Sequence, residues 1–253
     1  MMYVYAIADR PGEPLPSQLG LHDERLAKVI WHDIVAVVST FNGAHLSKTG
    51  DELWRHEEVV ESLMSDRAVL PARFGTLLPS QQHVGDILCR DYRALAQDIE
   101  RVRGHVEIGM RFLSAIENGA EGERPLTASN GFSLPGTGPG SAYLRARLAR
   151  ERELRSRRRA NLGLVRDIYE RLASHANASR LDDEPDDRHG TSAAFLVPCD
   201  RMASFRDIVS DVAKAHPELA LLCTGPWPPY SFVSSGDGAT SWGDECHASC
   251  DAS

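Results

Sequence analysis

Apolar residues along this chain recur with two periods, which predict alternating strands and helices. Residues 2–8 and 34–39 are almost continuously apolar, as in buried strands, and residues 106–112 alternate as a half-buried strand does. Residues 51–64 and 81–103 carry apolar side chains at helical spacing, so each predicts a helix with one buried face. The first half of the chain is therefore predicted to combine strands and helices.

The order of these elements predicts a ferredoxin-like α+β domain over residues 1–117, with four strands and two helices. The remaining strand falls within residues 69–78, where Pro71 favours an edge or a strand entry and Gly75 favours a bulge. Residues 21–31 are too mixed in composition to assign. In the closing strand, Glu107 is predicted to face outward.

The second half of the chain is predicted to form another α+β domain. A stretch rich in glycine and proline, residues 118–138, predicts a linker before it. The domain spans residues 139–234 and opens with a long helix that begins at Ser141. A strand is predicted at residues 191–198, and the polar residues 235–253 predict a disordered C-terminal tail.

The long helix is unusually basic in its first half. Its arginines stand at positions 145, 147, 150, 152, 155, 157, 158 and 159. Such a surface suits nucleic acid, which would bind with a strong dependence on salt. However, no aromatic residue is interleaved with the arginines, and the chain has a formal net charge of −8. We therefore favour a solvated or partner-facing helix over a nucleic-acid-binding one.

Residues 225–233, Gly-Pro-Trp-Pro-Pro-Tyr-Ser-Phe-Val, predict a rigid aromatic corner. Their prolines forbid a helix and cannot donate to a central sheet ladder. The apolar residues before the corner and residues 230–233 after it both predict strands. Trp227 and Tyr230 then either close the domain or face another molecule.

Composition is that of an ordinary globular protein, with 42% hydrophobic residues among 253. No apolar run approaches the roughly 20 residues that a membrane helix needs. The first residues lack the features of a signal peptide. These patterns predict a cytoplasmic protein without a membrane segment.

No catalytic residue, cofactor site or metal site is predicted. Cys246, His247 and Cys250 are an incomplete zinc set. The His-Glu-Glu sequence at residues 56–58 begins like a zincin motif, but Val60 stands where the second histidine belongs. His56 is therefore predicted to be a hydrogen-bonded histidine at the edge of the core.

Arg73 is a charge within an apolar run, and two explanations of it stay open. It either pairs with Glu57, Glu58 or Glu61 on the preceding helix, or it faces another protein. The pairing is favoured, because a charge in apolar surroundings is costly without a partner.

Three motifs together resemble the gas vesicle protein GvpF/GvpL family. They are Leu-Pro-Ala-Arg-Phe-Gly-Thr at residues 70–76, Gly138-Pro139-Gly140 followed by Tyr143-Leu144, and the corner at residues 225–232. The opening strand also fits, so the resemblance spans residues 2–233. It implies two α+β domains, the first ferredoxin-like, and an accessory protein of gas vesicle assembly rather than an enzyme.

The resemblance also implies partners and a location. The expected partners are the small hydrophobic shell protein GvpA and other gas vesicle accessory proteins, with neither nucleic acid nor membrane among them. The expected location is the gas-facing surface of the vesicle shell, where the protein is a minor component, and the cytoplasm before assembly. The candidate contact residues are Arg73, Phe74, Trp227 and Tyr230. For each of them, a role in holding its own domain together is the alternative.

Overall fold

The computed structural model divides the chain into two compact units. The residues it describes are 1–43, 46, 50–114, 147, 148, 150, 152, 162–182 and 191–234. One unit comprises Met1–Gly109, Ala194–Met202 and Thr224–Ser253, and the other comprises Met110–Ala193 and Ala203–Cys223. The predicted linker at residues 118–138 and the predicted tail at residues 235–253 lie outside the described residues, so the predicted domain limits stay predictions.

The first unit is built on an antiparallel sheet whose central strand is β1 (Met2–Ala8). On one side β1 pairs with β3 (Ile34–Thr40), which in turn pairs with β2 (Ala27–Trp31). Its other partners are β4 (Val69–Pro71) and β5 (Leu77–Leu78). The predicted strands at residues 2–8 and 34–39 are confirmed. The strand β2 was not predicted, because an edge strand buries little and only Val29 of its five residues is buried.

Two helices belong to this unit, as the apolar spacing predicts. They are α1 (Gly50–Leu63) and α2 (Gln81–Val102). Helix α1 buries Val59, Val60 and Leu63 against the Tyr3 and Tyr5 rings of β1 in one core cluster. Helix α2 begins after the N-cap residue Ser80, whose hydroxyl oxygen accepts a hydrogen bond from a first-turn N–H.

Strand β6 (His105–Ser114) forms as predicted but lies in a different sheet. It joins β7 (Ala178–Leu181), β8 (Thr191–Pro198) and β9 (Leu219–Trp227) in the order β7-β8-β6-β9. The α+β class is confirmed, whereas the expectation that the strand at residues 106–112 completes the first sheet is wrong. The reason is that β3 occupies one edge of β1 while β4 and β5 also pair with β1, which leaves no edge for β6.

The remaining helices are α3, which comprises residues 162–173, and α4 (Met202–Ala215). Helix α3 buries Val165, Ile168 and Leu172 at helical spacing, and this part of the predicted long helix is confirmed. Of residues 141–161 only 147, 148, 150 and 152 are described, and all four are helical. None of the helices in the described ranges combines the length and the apolar character required to cross a membrane.

The proline corner ends differently from its prediction. Strand β9 extends into the corner as far as Trp227, and it is an edge strand, as Pro226 within it requires. A 3-10 turn, Tyr230–Phe232, follows instead of the predicted strand at residues 230–233. The N–H of Tyr230 donates to the Pro228 carbonyl oxygen at 2.8 Å, which closes the turn locally and leaves that N–H unavailable to a sheet.

Candidate functional site

A buried histidine of the first unit joins two of the sequence motifs. His56, on α1, is 0% exposed. Its Nδ1 lies 2.9 Å from the Tyr3 hydroxyl, and its Nε2 lies 3.1 Å from the Ala72 carbonyl oxygen and 3.3 Å from the Tyr230 hydroxyl. Ala72 belongs to the motif at residues 70–76 and Tyr230 to the proline corner. A single imidazole therefore contacts both motifs.

The hydrogen bonds of His56 assign its tautomer. A carbonyl oxygen only accepts, so Nε2 carries the proton and donates it to Ala72. Nδ1 then accepts from the hydroxyl of Tyr3, whose oxygen accepts in turn from the N–H of Gly75 at 3.2 Å. Burial lowers the pKa of His56 to about 4, although the bond to the Ala72 carbonyl opposes that change. The predicted hydrogen-bonded histidine is confirmed, in its neutral form.

Tyr230 connects the same histidine to an acidic residue. Its hydroxyl donates to Glu57 Oε1 at 2.9 Å. Burial raises the pKa of Glu57 and the bond from Tyr230 lowers it, while burial and the nearby carboxylate both raise the pKa of Tyr230. Glu57 Oε2 is also buried, and within the described part of the chain it has no hydrogen-bond partner. Tyr230 is thus an important partner of a carboxylate that is already short of hydrogen bonds.

Two buried carboxylates bind the segment that runs from Gly225 to Ser234. We call residues 225–234 the strap. The N–H and hydroxyl of Ser231 donate to the two oxygens of Glu107 at 2.8 and 2.7 Å. The N–H and hydroxyl of Ser234 donate to the two oxygens of Asp98 at 2.6 and 2.9 Å. Glu107 and Asp98 are only 8% and 3% exposed, so these charge-assisted bonds are partly shielded from water.

Arg101 adds a further connection at the end of the strap. Its guanidinium pairs with Asp98 at 2.6 Å and also donates to the carbonyl oxygen of Phe232. The negative charge of Asp98 is therefore balanced by the Arg101 cation, and its oxygens also accept hydrogen bonds from Ser234. Together these contacts hold the course of the strap on the first unit.

The strap begins at a position that requires glycine. Gly225 has φ +109°, a value that side-chain-bearing residues rarely adopt. A Cβ atom there would lie 2.8 Å from the carbonyl oxygen of Glu107, which is a backbone atom and cannot move aside cheaply. Glycine at the first position of the corner motif thus allows the strap backbone to approach β6 closely.

Comparison with known proteins identifies the chain's relatives. A family model described as "Gas vesicle synthesis protein GvpL/GvpF" matches residues 1–234. The chain belongs to the GvpL/GvpF family. Gas vesicle protein F1 of Halobacterium salinarum is 23% identical over 241 residues, which cover 94% of this chain and 95% of that protein. Gas vesicle protein L of a Streptomyces species is 27% identical over 256 residues, covering 92% of each.

A solved member of the family shares the fold. The crystal structure of gas vesicle protein GvpF from an Anabaena species matches with a TM-score of 0.68 at 20% identity, over 92% of this chain and 95% of that one. The family match ends at residue 234, which is also the last residue of the strap. The strap is therefore inside the part of the chain that the GvpL/GvpF family model covers.

The structure of this GvpL/GvpF chain places the four candidate contact residues in two groups. Phe74 and Tyr230 are half-buried beside His56, with the Phe74 ring edge-on to the imidazole at 5.8 Å. Arg73 is exposed, and Trp227 is 41% exposed. The first group supports the site from within, and the second group is available to another molecule.

The favoured pairing of Arg73 with the preceding helix is wrong. Arg73 has no carboxylate at ion-pair distance among the residues that the structure describes. Two of the acids named for it are engaged elsewhere: Glu57 accepts from Tyr230, and Glu58 pairs with Arg55 at 3.2 Å. The exposed guanidinium keeps its hydration, so it needs no partner within the chain.

Sequence reasoning did not find Asp98 or Glu107. The only signal for Asp98 was an acid beside the apolar stripe of α2, and alternation placed Glu107 on the outer face of its strand. A long-range partner explains each of them: Ser234 and Ser231 are more than a hundred residues away in sequence. In the described ranges, no cluster of three His, Cys, Asp or Glu side chains is arranged for a metal, and the predicted incomplete set at Cys246, His247 and Cys250 lies outside them.

Proposed function

We propose that this chain is an accessory protein of gas vesicle assembly that binds the small hydrophobic shell protein GvpA. Membership of the GvpL/GvpF family supports the gas vesicle role. The observation that carries the contact is the convergence of two motifs on His56, which leaves Arg73 and Trp227 exposed. The role is one of binding rather than catalysis.

The chemistry of the exposed pair suits such a partner. Tryptophan and arginine are the side chains most often responsible for binding energy at protein interfaces. A shell subunit that packs against its own copies exposes apolar surface before assembly, and that surface aggregates unless it is covered. In this proposal the Trp227 ring covers apolar surface and Arg73 sets orientation, while Phe74 and Tyr230 hold both segments in place.

The proposal extends to location. A protein that binds the shell subunit is carried into the vesicle with it, as a minor component at the gas-facing surface of the shell, and it is cytoplasmic before assembly. Other gas vesicle accessory proteins are further proposed partners. Family membership gives no support to nucleic-acid binding by the arginine-rich helix.

The test is co-expression of this chain with GvpA followed by a pull-down, with a nonspecific DNA fragment present as a competitor. Wild-type chain should retain the shell protein and leave the DNA behind at low and moderate salt. Changing Trp227 or Arg73 to alanine should weaken retention by about 5- to 30-fold, as interface hot spots do. Arg93→Ala, an exposed arginine of α2, is the matched control and should leave retention unchanged.

Melting curves must show that the variants stay folded. If wild-type chain fails to retain the shell protein, the proposal is wrong. Retention of DNA that disappears as salt rises would instead favour the nucleic-acid alternative. Retention that none of the substitutions weakens would place the contact elsewhere on the chain.

A further inference from the structure

Helix α1 exposes two large apolar side chains that its own unit does not cover. Leu53 is 47% exposed and Trp54 is 75% exposed. Exposed acids stand at helical spacing around them, with Asp51 one turn before Trp54 and Glu58 one turn after it. Glu61 extends the acidic row by another turn. We call these five residues the Trp54 patch. An exposed apolar patch with a polar rim marks an interaction site.

The acids of the Trp54 patch are only partly neutralised. Arg55 pairs with Glu58 at 3.2 Å, at a site where both side chains are more than two-fifths exposed. Ion pairs so exposed are weak and easily exchanged for others. Asp51 and Glu61 have no ion pair among the described residues. The patch therefore presents apolar surface within a negative field, and it selects a partner with apolar and basic side chains.

The same chain carries a surface of that chemistry. Residues 147, 148, 150 and 152 are helical, and the arginines at 147, 150 and 152 are exposed. Leu148 lies among them and is 52% exposed. We call these four residues the Leu148 segment. Like the Trp54 patch, this segment combines an exposed apolar side chain with exposed charged side chains, but its charges are positive.

We propose that the Trp54 patch of one copy of this chain binds the Leu148 segment of a second copy. Two helices would pack with Trp54 and Leu148 at the centre of the contact and with opposite charges along its sides. Because the two surfaces differ, one contact between two copies leaves the Leu148 segment free on the first copy and the Trp54 patch free on the second. The expected product is a ring or an open row of copies. This proposal is independent of the binding of GvpA.

The test is sedimentation velocity of the purified full-length chain over a range of concentrations. Wild-type chain should form larger species as its concentration rises at low salt, and added salt should dissociate them, because the contact is largely charged and exposed. Trp54→Ala and Leu148→Ala should each weaken association by about tenfold or more. Arg93→Ala, an exposed arginine outside both surfaces, is the control and should associate as wild-type chain does.

Charge reversal makes the test specific to the two surfaces. A variant with Glu58→Arg and Glu61→Arg should not self-associate, and neither should a variant with Arg147→Glu and Arg150→Glu. A mixture of the two should associate again, since each reversed surface meets its complement on the other variant. Melting curves establish that both variants are folded.

Three results would overturn the proposal. They are a wild-type chain that stays monomeric at every concentration in low salt, reversed variants that associate as wild-type chain does, and a mixture that fails to associate. If the Trp54 patch instead binds a different protein, the wild-type chain should stay monomeric.

Discussion

Acidification should unfold this protein in part through His56. The imidazole is fully buried and neutral, and its pKa is about 4 instead of the ordinary 6.5. Between these two values the unfolded chain binds a proton that the folded chain does not. Acid therefore favours the unfolded state in this window, and the contribution of neutral His56 to stability is lost as the pH falls from 6.5 to about 4.

The size of the effect follows from the gap between the two pKa values. A difference between 6.5 and about 4, at roughly 1.4 kcal/mol per pH unit, amounts to about 3 kcal/mol in the free energy of unfolding. Glu57 acts in the opposite sense, because its pKa is raised and its carboxyl group binds a proton more readily in the folded chain. The pH dependence of wild-type chain alone therefore combines both groups.

A comparison with the His56→Gln variant separates the contribution of His56 to the pH dependence from that of Glu57. Glutamine does not titrate, and its amide can still donate to the Ala72 carbonyl oxygen. Urea unfolding of both proteins, from above pH 6.5 to about pH 4, should show the stability difference between them shrinking by about 3 kcal/mol as acid is added. Parallel pH profiles would refute the reasoning, and so would an NMR titration that places the pKa of His56 near 6.5.

Three further substitutions test the strap by urea unfolding. Gly225→Ala should lower stability by about 1–3 kcal/mol because of its positive φ and the clash with β6, whereas Gly12→Ala, with no atom within 4 Å of its Cβ, should be nearly neutral. Ser231→Ala removes a donor to a buried carboxylate and should cost about 1–3 kcal/mol. Tyr230→Phe should cost a similar amount, about 1–3 kcal/mol, and adding Glu57→Gln should restore part of it, because a neutral amide is less costly to bury without a partner.

Each substitution has an outcome that would contradict its reason. Equal stability of the two glycine variants would mean that the left-handed backbone at Gly225 is not required. A neutral Ser231→Ala would mean that the strap does not depend on its buried carboxylate. An additive loss in the Tyr230 and Glu57 double variant would separate two residues that the structure joins.

Local patterns predicted the helices and the buried strands of the first unit well. Helix α1 begins one residue before its predicted start, and β1 spans exactly the predicted residues 2–8. Such elements are encoded by the spacing of their own apolar side chains. The pairing of strands is not encoded in this way. Residues 105–114 form a strand as predicted, but the sheet that β6 joins depends on which edges of β1 are already occupied. That information lies in residues far away in the chain.

The sequence motifs contain two side chains that pack beside His56, but they did not predict these contacts. The motifs pointed to Phe74 and Tyr230, and nothing in either motif indicated that His56 lies between them. The histidine was predicted correctly as a hydrogen-bonded core residue, yet both of the motif groups it contacts are distant in sequence, Tyr230 by 174 residues. Spacing rules reach one turn of a helix or one strand pair, so they miss contacts of this kind.

A polar anchor gives the strap a property that apolar packing alone would not. Apolar contacts tolerate small sliding and repacking, whereas Glu107 and Asp98 each accept two hydrogen bonds from one serine, which defines position along the strap residue by residue. A shift of one residue would put Tyr230 or Phe232 in the place of Ser231 and take the serine hydroxyl away from Glu107, at a cost of about 1–3 kcal/mol. These hydrogen bonds therefore fix the position of Trp227 along β9. For a side chain 41% exposed on an edge strand, that position determines which surface a partner meets.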